Sequence, residues 1–326
     1  MSFKALLEDH APGRPTVVTV GTFDGVHHGH RKILARTVEI ARESGAQVAS
    51  VAIMFRKAPR AVIMPNAEIS YLCPLKMRER LIRETGIDTI IAVDFDESIR
   101  LTAPREFAGI LHEALRMGAF VSGPGSAVGR DRSGDSETMR RLGEEMGFSL
   151  HTVPPEIYNG EAVSSTLVRT ALEGGRMGEA AGMLGRRYTL AGKVIRGEAR
   201  GRTIGFPTVN LDRGDPEFPA AVPADGIYAA WARVDDGAQI MAATSIGVRP
   251  TFGDEGSRTV EAHLLDFDED VYGRTVTLEF VRRLRPERKF DTVDELTAHM
   301  NVDVEKTREI LSDDATAGAY PGADRQ

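Results

Sequence analysis

The chain has 326 residues, enough for one large domain or two ordinary ones. Hydrophobic residues make up 41% and charged residues 27%, the balance of a soluble globular protein, and a net charge of -7 gives no footing for a nucleic-acid backbone as main partner. The single cysteine, Cys73, excludes an internal disulfide framework and any multi-cysteine metal site. No apolar stretch reaches the roughly 18 residues a membrane span needs, and the N-terminus lacks a basic head followed by an apolar run. A cytoplasmic protein with no membrane partner is expected.

Residues 1–16, broken by Pro12 and Pro15, read as an irregular lead-in. The β-branched run 16–22 reads as a buried strand, followed by a turn with Gly21, Gly25 and Gly29. A helix then carries Ile33, Leu34, Val38 and Ile40 on one face. Further strands are predicted at 47–55, 89–94, 119–123 and 151–153, with helices over 74–86, 103–117 and 136–146. This alternation is the pattern of an open, doubly wound parallel sheet, whose ligands sit at the carboxyl ends of the strands. The rhythm changes after Gly185. Short alternating runs at 189–195, 226–234, 239–247, 259–267 and 275–281 leave no room for a ten-residue helix and predict an antiparallel barrel or sandwich. Closing helices are expected over 291–311, capped by Asp291, before a small, polar, disordered tail at 312–326. The expected domains are therefore 1–184 and 185–311.

Two constellations carry chemistry. In the first, helix N-terminal amides after the glycine turn attract phosphate. His27 and His30, three apart with Gly29 between them, can face one ligand while His28 points elsewhere. Zinc is a weaker reading, because no third ligand is near in sequence. In the second, residues 197–205 form a glycine-rich basic loop suited to phosphate, directly before Thr208 and Asn210. Two apart on an extended strand, those residues face the same side, and their oxygens suit magnesium. Glu261 and His263 likewise share one strand face.

Residues 21–34 (GTFDGVHHGHRKIL) resemble the HxGH signature of nucleotidylyltransferases, specifically that of the bacterial bifunctional riboflavin kinase/FMN adenylyltransferases. The resemblance continues through LCPLKMRERL, FDESIRLTAPREFA, SGDSETMRRLGEEMGF and AVSSTLVRTAL, then through the kinase-like segment 185–211, and covers residues 15–311. It implies a nucleotidylyltransferase-like domain and a six-stranded kinase barrel. It implies that His27 and His30 act on ATP phosphates, and that Gly21, Phe23, Gly29, Ser165, Thr166 and Arg169 help hold that nucleotide. In the barrel it implies ATP contacts from Gly197, Arg200, Gly205 and Thr208, and magnesium on Thr208 and Asn210. Glu261 would be the catalytic base, and Arg249, Phe252, Arg285 and Phe290 would lie along the flavin. The implied ligands are ATP, Mg2+, riboflavin, FMN and FAD; a homo-oligomer is compatible with the resemblance.

The chain departs from that pattern in two places. Where such proteins usually read Phe-Asp-Pro-His-Pro, it has Arg56 and Ala58 in the aspartate and histidine positions. Where they carry Gly-Glu-Asp/Asn-Phe-Arg-Phe-Gly, it has Gly125, Ser126 and Val128 in place of a polar anchor and two aromatics. Loss of stacking surface predicts weaker flavin recognition on that side. Arg56 and Lys57 read either as an anion site or as solvated, and the solvated reading is preferred. Three activities follow: kinase with adenylyltransferase, kinase with a degenerate or repurposed first domain, or a flavin-binding regulator. The last needs no catalytic base, and Glu261 argues against it.

Overall fold

The computed structural model describes residues 2–64, 67–197, 200–212, 217–248 and 258–316. The chain divides into two compact units, Met1–Ile69 with Pro74–Ser164, and Ser70–Cys73 with Ser165–Gln326.

The first unit is built on five parallel strands: β1 (Thr16–Gly21), β2 (Ala49–Phe55), β3 (Thr89–Val93), β4 (Met117–Ser122) and β5 (Ser149–Thr152), in the order β3-β2-β1-β4-β5. β2 is buried along its whole length, as a strand covered on both faces must be. Its side chains alternate between two cores. Val51, Ile53 and Phe55 pack with Phe107, Leu111 and Leu142 on one face, while Ala52 and Met54 pack with Leu34, Val38 and Leu81 on the other. The order reverses between β1 and β4, which opens a crevice outside their carboxyl ends. A small hairpin follows, β6 (Ile157–Tyr158) with β7 (Glu161–Ala162), turning at Asn159 and Gly160, both with positive φ.

One expectation for this unit is corrected. The lead-in is not irregular, because Phe3–Asp9 is a helix whose N-cap Ser2 accepts a hydrogen bond from the Ala5 amide. Phe3 and Leu7 are buried, and the Phe3 ring stacks on Phe107 at 5.6 Å. Seven residues are too few to display a helical period, and packing on Phe107 supplies what propensity does not.

The second unit contains a closed antiparallel barrel of six strands: β8 (Tyr188–Ile195), β9 (Val209–Asp212), β10 (Gly226–Val234), β11 (Gln239–Val248), β12 (Arg258–Leu264) and β13 (Thr275–Arg285), ordered β10-β11-β12-β9-β8-β13. Alternate residues fill it, with Tyr188, Tyr228 and Phe280 fully buried and packed ring to ring. Helices Ser165–Glu173 and Met177–Leu184 belong to this unit, as does Ser70–Cys73, where Tyr71 pairs with Ala220 and Cys73 is buried. The closing element is one helix, Val293–Thr316, rather than several. Its cap is Thr292, whose hydroxyl accepts from the Glu295 amide at 3.2 Å, not the expected Asp291. It also runs past residue 311, into the segment expected to be disordered, because Asp314 accepts from Arg187 and from the Trp231 indole. The rest of that segment, 317–326, lies outside the described residues. Among the described residues, no helix is long and apolar enough to cross a membrane.

Candidate active sites

The first site begins where β1 ends. Phe23, Gly25 and Val26 all have positive φ, an uncommon state for Phe and Val that persists where packing enforces it. Both side chains are buried, and Gly21 leaves room for the Phe23 ring, which would lie 3.1 Å from a Cβ there. The loop delivers His27 as N-cap of the helix His28–Glu43, its Nδ1 accepting from the His30 amide at 3.3 Å. A ring nitrogen that accepts carries no proton, so neutral His27 bears its proton on Nε2, as a donor. The rings of His27 and His30 stack at 3.6 Å, and Phe23 meets His30 edge-on. Gly29 leaves room for the stack, since a Cβ there would crowd the His27 ring at 3.2 Å. Burial, the adjacent His27 and the Arg78 guanidinium push His30 well below the usual histidine range, so it is neutral at pH 7. Its buried Nδ1 has no hydrogen-bond partner among the described residues.

Arg78 is a buried supporting residue of this loop that pattern reading missed. It is fully buried and donates through Nη1 to the carbonyls of Thr22, Phe55 and Arg56, at 3.1–3.3 Å. Its Nη2 lies 3.6 Å from Asp24, itself 4% exposed. One cation thus ties the carboxyl ends of β1 and β2 to the phosphate loop. Its signal was present in the helix Leu75–Arg83: Arg78 sits on the face defined by Leu75, Leu81 and Ile82, where a solvated arginine does not belong.

The acceptor side is different. Arg56 pairs with Asp94 at 2.8 Å, so it is half-exposed but ion-paired rather than merely solvated. Ala58 caps the short helix Pro59–Ile63 without a side-chain bond. Gly125 and Ser126 are exposed in the loop after β4, and Val128 bridges to Gly134. Ser165, Thr166 and Arg169 lie in the first turns of the helix Ser165–Glu173, with Ser165 and Arg169 one turn apart, and Arg169 Nε donates to the Ser70 carbonyl at 2.7 Å.

The second site is inside the barrel unit. Asn210 on β9 stands directly opposite Glu261 on β12, and the Thr208 hydroxyl is 3.4 Å from the Glu261 carboxylate. Gly197 makes room for Asn210: a Cβ at 197 would collide with the Asn210 amide. Gly205 has φ +85, and residues 200–203 form a single helical turn, so the glycine-rich loop is compact. Two cavities meet here. One, of about 270 Å³, is lined by Phe206, Thr208, Glu261, His263, Arg285 and Phe290 among others; the second, of about 410 Å³, by Gly197, Arg202, Pro207, Thr208, Asn210 and Tyr272 among others. Thr208 faces both. The oxygens of Thr208 and Asn210, beside a carboxylate, fit a hydrated magnesium ion.

Arg285 is held rather than free. It grips Asp303 of the closing helix with two bonds, Nε to Oδ1 at 3.0 Å and Nη2 to Oδ2 at 2.7 Å, and lies 5.6 Å from the Phe290 ring centroid. Asp303 and Glu287 also line this cavity and were not predicted. Glu287 sits over Gly247, where any side chain would collide with its carboxylate; burial and the neighbouring Asp225 carboxylate push its pKa up. Arg249 and Phe252 lie outside the described residues, and of Arg200 only the backbone is described.

Comparisons with known proteins match both halves of the chain. A riboflavin kinase family model matches residues 184–311, and an FAD synthetase family model matches residues 9–167. A bifunctional riboflavin kinase/FMN adenylyltransferase of Pseudomonas fluorescens is 33% identical over 303 residues, spanning 93% of this chain and 95% of that protein. This chain belongs to the bifunctional riboflavin kinase/FMN adenylyltransferase family. Its Escherichia coli K12 relative of the same description is 32% identical, over 92% of this chain and 94% of that one. A solved Streptococcus pneumoniae chain described as a macrolide-efflux protein superposes with a TM-score of 0.84 at 29% identity, over 93% of this chain and 96% of that one. The kinase model spans the barrel with Thr208, Asn210 and Glu261, and the synthetase model spans the stacked histidines.

Proposed function

We propose that this family member phosphorylates riboflavin with MgATP in its barrel, and adenylylates FMN far more slowly in its α/β unit. The observation that carries the kinase reading is the junction of two cavities at Thr208, with Glu261 on one side and Asn210 on the other. Riboflavin enters the smaller cavity, along Arg285 and Phe290, and ATP the larger one, against Gly197; the family resemblance further assigns Arg249 and Phe252 to the flavin and Arg200 and Gly205 to ATP. Glu261 takes the proton of the ribityl 5′-hydroxyl as that oxygen bonds to the γ-phosphorus and the bond to ADP breaks. Thr208 and Asn210 would hold the magnesium ion, which when bound would offset charge on the phosphates.

In the α/β unit, His27 Nε2–H and the buried Nδ1 of His30 donate to ATP phosphates as an FMN phosphate oxygen attacks the α-phosphorus and pyrophosphate leaves. Gly21, Phe23 and Gly29 shape that cradle, and Ser165, Thr166 and Arg169 bind the triphosphate. We assign residues 1–184 to the adenylyltransferase function and 185–311 to the kinase. The slow second step follows from Ala58, Gly125, Ser126 and Val128, which offer neither ring surface nor a charged anchor. A flavin-binding regulator without catalysis would not need Glu261 beside Thr208. The test is product chromatography after mixing purified protein with riboflavin, ATP and magnesium. FMN is the expected product, and its absence with every divalent metal tried overturns the kinase reading.

A further inference from the structure

We propose that His263 is a positioning residue of the kinase reaction, pinning by one hydrogen bond the wall that separates the two barrel cavities. The inference rests on the kinase reading above. The wall is three residues long. Phe206 and Thr208 face the smaller cavity, while Pro207 and Thr208 face the larger one. It is not part of a ladder: β9 begins at Val209 and pairs with β12 only through Val209–Ala262 and Asn210–Glu261. Pro207 has no N–H to extend that pairing. Two side-chain bonds reach across to β12 instead. The Thr208–Glu261 bond is 3.4 Å, at the weak end for a hydroxyl. The bond between His263 Nδ1 and the Pro207 carbonyl is 2.8 Å.

A carbonyl oxygen only accepts, so the imidazole donates from Nδ1, a proton that the cation and this neutral tautomer both carry. The ring also meets Phe206 edge-on, at 5.4 Å between centroids. His263 is therefore tied to the residue before Thr208 and packed on the one before that. On β12 it is two residues from Glu261 and on the same face, so the strand that carries the base also fixes the hydroxyl opposite it. Loss of the bond leaves the wall, and Thr208 with it, free to shift. A misplacement near 1 Å costs up to about 10²-fold in rate.

Two substitutions separate the bond from the packing. His263→Asn puts an amide N–H near the position of Nδ1 and removes the ring; His263→Phe keeps a ring on Phe206 and removes the donor. Kinase kinetics with varied MgATP are measured with calorimetric dissociation constants for MgADP and for riboflavin. His263→Phe is expected to lose about tenfold in kcat/KM for MgATP, the worth of one good hydrogen bond, and to bind MgADP more weakly. Its riboflavin affinity should change far less, and His263→Asn should stay within about threefold of the native protein in every measurement. An Asn variant as impaired as the Phe variant, or a Phe variant that behaves as native, overturns the proposal. Should His263→Phe not fold, His263→Gln replaces it, since its longer amide cannot reach the Nδ1 position. Absence of FMN formation by the native protein would refute the kinase reading alone, because the MgADP comparison still reports on the hydrogen bond.

Discussion

In the barrel, Thr208, Asn210 and Glu261 come from a loop and two strands and are joined by a hydrogen bond and a direct strand pair, and His263 bonds the Pro207 carbonyl beside Thr208. In the α/β unit, comparable order exists on one side only. The proposed phosphate loop is held by buried Phe23 and Val26, by the stacked histidines and by Arg78, whereas the proposed acceptor side consists of Ala58, exposed Gly125 and Ser126, and an arginine already paired with Asp94. The contrast lies in what each function asks of the chain. Phosphate is bound largely by backbone and by groups locked in packing, so that site is inseparable from the fold. An acceptor ring is recognised by side chains on exposed loops, which change without any cost to the core.

The sharpest way to probe this contrast is to disable one half at a time. Glu261→Gln keeps the shape of the barrel site and removes its proton acceptor. Kinase turnover should fall by about 10²–10⁴-fold with riboflavin affinity retained, read by stopped assays and flavin fluorescence titration. A near-native rate would remove Glu261 from the chemistry.

Arg78→Met acts on the other half. It leaves Asp24 buried without its cation and frees three carbonyls at the strand ends, so the first unit should lose about 3–5 kcal/mol of stability. Urea unfolding should show an early transition while FMN formation persists at low denaturant. Loss of both together would mean that the units do not fail separately.

Much of this was legible beforehand and some was not, for identifiable reasons. The central strands of the sheet announced themselves because buried parallel strands are continuous apolar runs, and the barrel strands because they alternate. His27 with His30, and Thr208 with Asn210, are short-range patterns that a turn or strand brings together directly, whereas Glu261, 53 residues beyond Thr208, was legible only through the family resemblance. Arg78, Asp303 and the Pro207–His263 bond are long-range facts. Arg78 reaches carbonyls 22 to 56 residues away, and Arg285 meets Asp303 across 18 residues, so neither spacing nor residue type reveals the partner. The helix Phe3–Asp9 was missed because its stabilising partner, Phe107, is more distant still in the chain.

A smaller effect concerns pH. His30 titrates well below 6.5 in the folded chain, so on acidification the unfolded state binds the proton first. Stability of the first unit should therefore be fully present above about pH 6.5 and decline as pH falls toward the folded value. His30→Gln should flatten that decline, as seen in urea midpoints measured from pH 7.5 down to about 5. An identical slope in the variant would separate His30 from the effect.

The asymmetry itself is tested by initial rates measured side by side: FMN formed from riboflavin, and FAD formed from FMN, each with MgATP, in the native protein and in His30→Ala. FMN formation is expected to exceed FAD formation by about 10²-fold, the scale of a misplaced acceptor, with the residual FAD signal lost in the variant. FAD formed as fast as FMN, and abolished by His30→Ala, would contradict that account and restore a fully competent adenylyltransferase.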